Sequence, residues 1–257
     1  MIGEIHNEDC LEGMKQIPTG TVDMILTDLP YGTTRNAWDA VIPFDQMWAA
    51  FERVIKPNGA IVLTAQTPFD KVLAASNMKL LRYEWIWVKN KPTGHLNAKR
   101  MPMKAHENVL VFYKNLPVYN AQGLERKAKV TVRKGKSGNG SNYGKSDKDA
   151  LQEFEGYPDS MLYFDMDNDA FHPTQKPVAL FEYLIKTYTR EGETVLDCTI
   201  GSGTTAVAAI NTDRAWIGFE MDPDMHKLAS ERIDQAKSIR SARRESEKAA
   251  ASFFGFE

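Results

Sequence analysis

Two cysteines, Cys10 and Cys198, are all that the 257 residues hold. No second pair and no nearby histidine spacing accompanies them, which argues against a disulfide-built scaffold and against a zinc site. Reduced thiols are expected, although two cysteines leave a single disulfide open. No apolar run approaches the roughly 20 residues needed to span a bilayer, so no membrane partner is expected. The opening MIGEIHNEDC has neither a basic flank nor an apolar core, and the chain reads as cytoplasmic. Internal repeats are missing as well. Histidines number only five; His95, His106 and His172 match no ligand spacing, so structural roles and no metal are expected.

What is present is enough apolar material, 42% of residues, to bury a core for one large domain or for a domain with an insertion. The net charge of −2 conceals an asymmetry. Residues 89–148 hold 14 Lys or Arg against three acids, Glu107, Glu125 and Asp147, so this block carries +11 and the remainder −13. A basic block on an acidic body is what a polyanion-binding surface looks like, because neutralising phosphates releases counterions. A solvated loop that happens to be basic has the same composition, and charge alone leaves both readings open.

Strand-like runs bounded by turn signals occur at 22–27, 60–65, 83–90, 108–114, 194–199 and 215–220. Amphipathic stretches of helical length lie at 44–56, 67–79, 177–190, 203–211 and 222–240. Apolar strands alternating with helices predict a doubly wound α/β sheet covered on both faces. Trp85 and Trp87 alternate along one strand and are expected to pack in the core, on opposite faces. From about 115 to 171 the text turns polar, basic and Gly-rich, and neither a helical nor a strand period survives. It reads as an insertion within one α/β domain, with SMLYF (160–164) as a returning strand. The charged tail, 241–257, reads as a frayed helix whose final aromatics dock locally.

VLDCTIGSGTT (195–205) places a strand, an acid, a tight glycine turn and a helix in that order. Glycines there let backbone approach a ligand at the carboxyl end of the sheet. The loop lacks the G-x-G-x-x-G spacing of dinucleotide sites, and no lysine follows as a P-loop requires. About fifteen residues later Glu220 ends the next strand, where a carboxylate accepts both hydroxyls of a ribose. A ligand with a ribose and no phosphate suits this combination, and S-adenosylmethionine is the obvious one.

TDLPYG (27–32) follows the apolar run VDMIL. In a doubly wound sheet, this turn would lie beside the ligand held by 195–205. An amino group on a nucleobase is a poor nucleophile, because its lone pair is delocalised into the ring. An acceptor such as Asp28 would draw that nitrogen toward tetrahedral geometry and stabilise its growing positive charge. Pro30 would stiffen the turn, and Tyr31 would stack on a base taken out of its helix. A strand-end turn with a core tyrosine is the plainer alternative.

Together these segments resemble the β-class amino-methyltransferases of DNA, the group in which the catalytic turn precedes the cofactor loop. NEDCLEGM (7–14) resembles the segment that contacts the cofactor's adenine, and TDLPYG the catalytic motif. KPNGAIVL (56–63) resembles the following helix–strand unit, and EWIWVKN and HENVLVFYK the target-base side. HPTQKP (172–177) is similar to the element that closes over the methionine end, and LDCTIGSGTT to the cofactor loop. The resemblance implies a seven-stranded mixed sheet with helices on both faces. It also implies a catalytic part at 1–114, a target-recognition insertion at 115–171, a cofactor-binding part at 172–240 and a tail beyond. The implied activity is site-specific methylation of double-stranded DNA, at adenine N6 given an acid at the first catalytic position, with N4-cytosine or a silent DNA-binding member as alternatives.

The roles that the resemblance implies fall on matching residues. Asp28, Pro30 and Tyr31 form the catalytic turn. Asp197, Thr199, Gly201, Ser202 and Gly203 hold the methionine end of S-adenosylmethionine, with Lys176 reaching its carboxylate. Glu220 binds the ribose, while Asp9 and Cys10 flank the adenine. Lys127, Lys129, Arg133, Lys134 and Lys136 in the insertion are the candidate DNA contacts, and a homodimer is an assembly that so short a recognition region allows. One departure stands out: Leu29 occupies a position where the family prefers proline. Its backbone carbonyl is retained, and activity is expected to survive.

Overall fold

The computed structural model describes residues 3–32, 39–135, 149–167 and 175–254. In chain order the elements are β1 (Gly3–His6), α1 (Cys10–Met14), β2 (Val22–Asp28), α2 (Phe44–Val54), β3 (Ile55–Ala65), α3 (Phe69–Ser76), β4 (Leu81–Thr93) and β5 (Lys104–Phe112). There follow β6 (Glu125–Arg133), β7 (Ala150–Glu155), β8 (Met161–Tyr163), α4 (Val178–Tyr188), β9 (Thr194–Asp197), α5 (Thr204–Asn211), β10 (Ala215–Phe219) and α6 (Pro223–Phe254). The chain divides into two compact units, Met1–Asn120 with Ser160–Glu257, and Ala121–Asp159.

The larger unit is built on one mixed sheet in the order β1-β10-β9-β2-β3-β5-β4-β8. The first five strands run parallel, and β5 is antiparallel to both β3 and β4. The mixed sheet is as expected, with eight strands where seven are implied. The eighth, β8, is the returning strand at SMLYF, and it pairs with β4 over Ile86↔Met161 to Val88↔Tyr163.

Alternation along the central strands decides the two cores. Ile25, Ile61, Leu63, Leu110 and Phe112 point into one cluster with Met47, Trp48 and Phe51 of α2 and with Phe69 and Leu73 of α3. Their neighbours Met24, Leu26, Val62, Val109 and Val111 point the other way, against Leu180 and Leu184 of α4, Ala206 and Ala209 of α5 and Ile233 of α6. Strands covered on both faces therefore read as unbroken apolar runs, and helices α2 and α4 show the one-sided stripes that sheet packing demands, whereas α5 is buried nearly all round. Trp85 and Trp87 are both buried in the second cluster. This corrects the expectation of opposite faces, because residues two apart on a strand share one.

The smaller unit contains the hairpin β6–β7, paired over Glu125↔Glu155 to Arg133↔Ala150 with an irregularity between Arg126 and Thr131. The sequence pattern predicts no regular structure there. Both strands are exposed along nearly their whole length, so no buried face imprints an alternation. The last helix runs on through the charged tail to Phe254, where a frayed helix is expected. Asp213 anchors its extension through Arg240 at 2.5 Å and Arg244 at 2.6 Å. Residues 255–257 and the side chains of 251–254, on which the expected aromatic docking falls, lie outside the described residues. Among the described residues, no helix is long and apolar enough to cross a membrane, and both cysteines are free and buried.

Candidate active site

Parallel strands deliver their carboxyl ends to one edge of the sheet, and antiparallel β5 brings its start to the same edge. Asp28 ends β2, Asp197 ends β9, and Glu220 follows β10. All three line a single cavity of about 1140 Å³. Asp9, Cys10, Pro30, Tyr31, Lys176, Thr199, Gly201 and Ser202 line it too. Gly203 is set behind these residues. It precedes α5 as its N-cap with φ of +80°, a conformation that L side chains rarely adopt, and an added Cβ there would lie 3.3 Å from Ile233. Lys127, Lys129, Arg133 and Lys134 belong to the smaller unit, and Lys136 lies outside the described residues, as does His172.

On one side of the cavity, the glycine loop is clamped by its neighbours. One Glu220 carboxylate oxygen accepts the Gly201 N–H at 3.0 Å, and the other accepts the Asp222 N–H at 2.8 Å. Burial raises the Glu220 carboxyl above its usual range despite these donors. Arg232 of α6 donates to the Ser202 carbonyl at 2.9 Å and to Thr204 Oγ1 at 3.1 Å, fixing the far side of the loop. Asp9 caps α1, accepting from the N–H groups of Leu11 at 2.9 Å and Glu12 at 3.2 Å.

Asp197 is 3% exposed and accepts from the Thr199 N–H at 3.1 Å and from the Thr205 hydroxyl. Among the described residues no cation pairs with it. Burial, opposed by the Thr205 and Thr27 hydroxyls, pushes its pKa up to about 6. A buried carboxylate without a counter-cation, lining a cavity, fits a ligand that brings a positive charge.

The TDLPYG turn lies across the same cavity. The Thr199 hydroxyl donates to the Asp28 carbonyl at 3.0 Å and is within 2.7 Å of Thr27 Oγ1, so the turn and the glycine loop are tied together. Asp28 Oδ1 accepts from the Tyr31 hydroxyl and from the Thr64 hydroxyl, each at 2.5 Å. Its Oδ2 accepts from the Lys176 ammonium, so the lysine expected at the cofactor carboxylate is engaged instead by the turn and by Glu107. Burial and then the Asp28 charge push the Tyr31 phenol well above its ordinary value, so it acts as a donor. Its ring packs against Phe69, with centroids 5.1 Å apart. Leu29 is buried in the first core cluster, which anchors the turn at the position where the ring of a proline would otherwise stiffen it.

Several participants carry no signal in the sequence. Asp39 accepts the backbone N–H groups of Tyr31 at 2.7 Å and Gly32 at 2.9 Å, bracing the turn from eight residues away. Glu107 forms ion pairs with Lys89 at 2.5 Å and with Lys176 at 3.5 Å. Burial raises the Glu107 carboxyl, but Lys176 and Lys89 together outweigh that and leave it below its usual value. HENVLVFYK is legible as a segment, yet only the pairing of β4 with β5 brings Glu107 toward Lys89.

A family model described as DNA methylase matches residues 22–231. The type II methyltransferase M.HpaI of Haemophilus parainfluenzae is 27% identical over 236 residues, spanning 88% of this chain and 72% of that protein. The DNA adenine methyltransferase YhdJ of Escherichia coli (strain K12) is 28% identical over 246 residues, spanning 90% and 82%. Among solved structures, the M1.HpyAVI–SAM complex superposes with a TM-score of 0.61 at 25% identity, over 90% of this chain and 100% of that one. The PvuII DNA methyltransferase, named as cytosine-N4-specific, gives 0.66 at 16% identity over 93% of each chain, a likeness of fold.

Proposed function

The chain belongs to the N6/N4 DNA methylase family, and on that premise we propose that it methylates the exocyclic N6 of adenine in double-stranded DNA, taking the base out of the helix to do so. The cofactor is S-adenosylmethionine, which supplies a methyl group on a sulfonium. The observation that carries this reading is the placement of Asp28 on the same cavity as Asp197 and Glu220, with the Thr199 hydroxyl tying the two loops at 3.0 Å.

The residues then divide the work. Asp197 takes the ammonium of the methionine end, and Thr199, Gly201 and Ser202 line that end. Glu220 accepts from the ribose hydroxyls, with Asp9 and Cys10 beside the adenine. Thr64 and Tyr31 hold Asp28 Oδ1 still, so Oδ2 is the oxygen that accepts a hydrogen from the substrate amino group. The Leu29 carbonyl accepts the second hydrogen, and the two together localise the nitrogen lone pair toward the methyl. Tyr31 stacks on the extruded base, and Pro30 sets the turn. Lys127, Lys129, Arg133, Lys134 and Lys136 contact phosphates of the target. An aspartate at the head of the turn favours adenine, in line with the relative named as a DNA adenine methyltransferase.

Labelled S-adenosylmethionine incubated with unmethylated plasmid DNA, followed by modified-base sequencing, tests this directly. N6-methyladenine at one short sequence is expected. Label on cytosine would overturn the choice of base, and unlabelled DNA would overturn the activity.

A further inference from the structure

The oxygen assigned above to the substrate is already taken. Lys176, 7% exposed, donates to Asp28 Oδ2, and an ammonium there both occupies the acceptor and withdraws electron density from it. On its other side, Glu107 Oε2 is 3.5 Å from the same ammonium. Glu107 is itself 4% exposed. Its Oε1 is held by Lys89 at 2.5 Å and by the Gln66 amide at 2.8 Å. Oε2, in contrast, is buried and has no hydrogen bond among the described residues. Buried carboxylate oxygens are rarely left so.

We propose that Glu107 is a positioning residue for methyl transfer, giving Lys176 a second berth so that its ammonium leaves Asp28 when the substrate amino group arrives. This rests on the function proposed above. The geometry needs little motion: closing 3.5 Å to the roughly 2.8 Å of a charged hydrogen bond is a shift of about 0.7 Å. Signs alternate along Asp28, Lys176, Glu107 and Lys89, so the ammonium moves from one anion to another without entering water. It also stays protonated. Burial lowers the Lys176 pKa, but Asp28 and Glu107, the two charged groups that act on it, outweigh burial and raise it. The Tyr31 ring lies 5.9 Å from the ammonium, within reach of a cation–π contact.

The test is steady-state methyl transfer to plasmid DNA by Glu107→Gln, with S-adenosylmethionine binding measured in parallel as the check that the variant folds. Glutamine keeps an acceptor for Lys89 but gives Lys176 no anion. The expected result is a kcat lowered tenfold or more, with KM for DNA and the cofactor Kd within about threefold. Adding Lys176→Met to Glu107→Gln should raise kcat above that of the single variant, since the latch is gone. An unchanged kcat in the single variant, or a double variant slower than the single, overturns the inference. Should Glu107→Gln fail to bind cofactor, Glu107→Asp serves instead: its shortened carboxylate should lower kcat with Kd unchanged, and full kcat would overturn the inference. Failure of the underlying reading looks different, because the unaltered chain would then label no DNA.

Discussion

Replacing Glu220 with alanine perturbs the cofactor side of the cavity at its best-defined point. In the structure, each Glu220 oxygen accepts one backbone N–H, from Gly201 at 3.0 Å and from Asp222 at 2.8 Å. A carboxylate has about four lone-pair sites, so two remain for the ribose hydroxyls. A hydrogen bond to a charged group contributes about 1.5–3 kcal/mol. Two such bonds to the same acceptor do not add fully, and water replaces part of what is lost. A net loss of about 1–3 kcal/mol is expected, equal to a roughly 5- to 150-fold rise in Kd. Isothermal titration of S-adenosylmethionine into the purified variant reads this directly. Thermal unfolding without ligand should fall too, because the N–H groups of Gly201 and Asp222 lose their acceptor. A lowered melting temperature with a Kd within twofold of the unaltered chain would refute the ribose role, leaving Glu220 as a brace for the loop alone.

Three further outcomes follow from charge. Asp197 has a folded-state pKa raised to about 6, above the roughly 3.9 of an unfolded aspartate, so the folded chain holds this proton more firmly. Protonation between about 6 and 3.9 therefore favours folding through this residue, and stability should not be lost by titrating it as pH falls through 6. Cofactor binding runs the other way: if Asp197 must be ionised to take the ammonium, Kd should rise up to roughly tenfold per pH unit below about 6, and Asp197→Asn should flatten that rise. A pH-independent Kd between about 5 and 7 would contradict the assignment. Reversing Lys127, Lys129 and Arg133 to glutamate should weaken DNA binding and lower the salt dependence by roughly 0.9 for each phosphate no longer neutralised, with cofactor affinity unchanged. An unaltered salt slope would remove the hairpin from the DNA interface.

Elements buried on both sides announce themselves in sequence. VDMILT and AIVLTA are unbroken apolar runs because alternate residues feed two different cores, and Met47, Trp48, Phe51 and Val54 form the stripe that α2 lays on the sheet. β1 is not legible as a strand, because four residues, GEIH, are too few to show a period. The hairpin β6–β7 is equally silent, being exposed on both faces and interrupted between Arg126 and Thr131. The extension of α6 is legible as a helix, but the hold of Arg240 and Arg244 on Asp213, a link between distant segments, is not. The site divides in the same way. Asp28, Asp197 and Glu220 are legible because each ends an apolar strand, and parallel strands share an edge. Lys89, Glu107, Asp39 and Thr64 give no sign, since their partnership with the turn depends on strand register and on a side chain folding back over eight residues.

Asp28→Ala, measured for label transfer and for cofactor binding on the same preparation, puts the central claim to the most direct test. The carboxylate that faces the cofactor pocket is assigned to the reacting nitrogen, so transfer to DNA should vanish while S-adenosylmethionine binds within a few-fold of its normal affinity. A variant that still methylates DNA at the full rate would show that this carboxylate does not act on the amino group, and the account would fail with it.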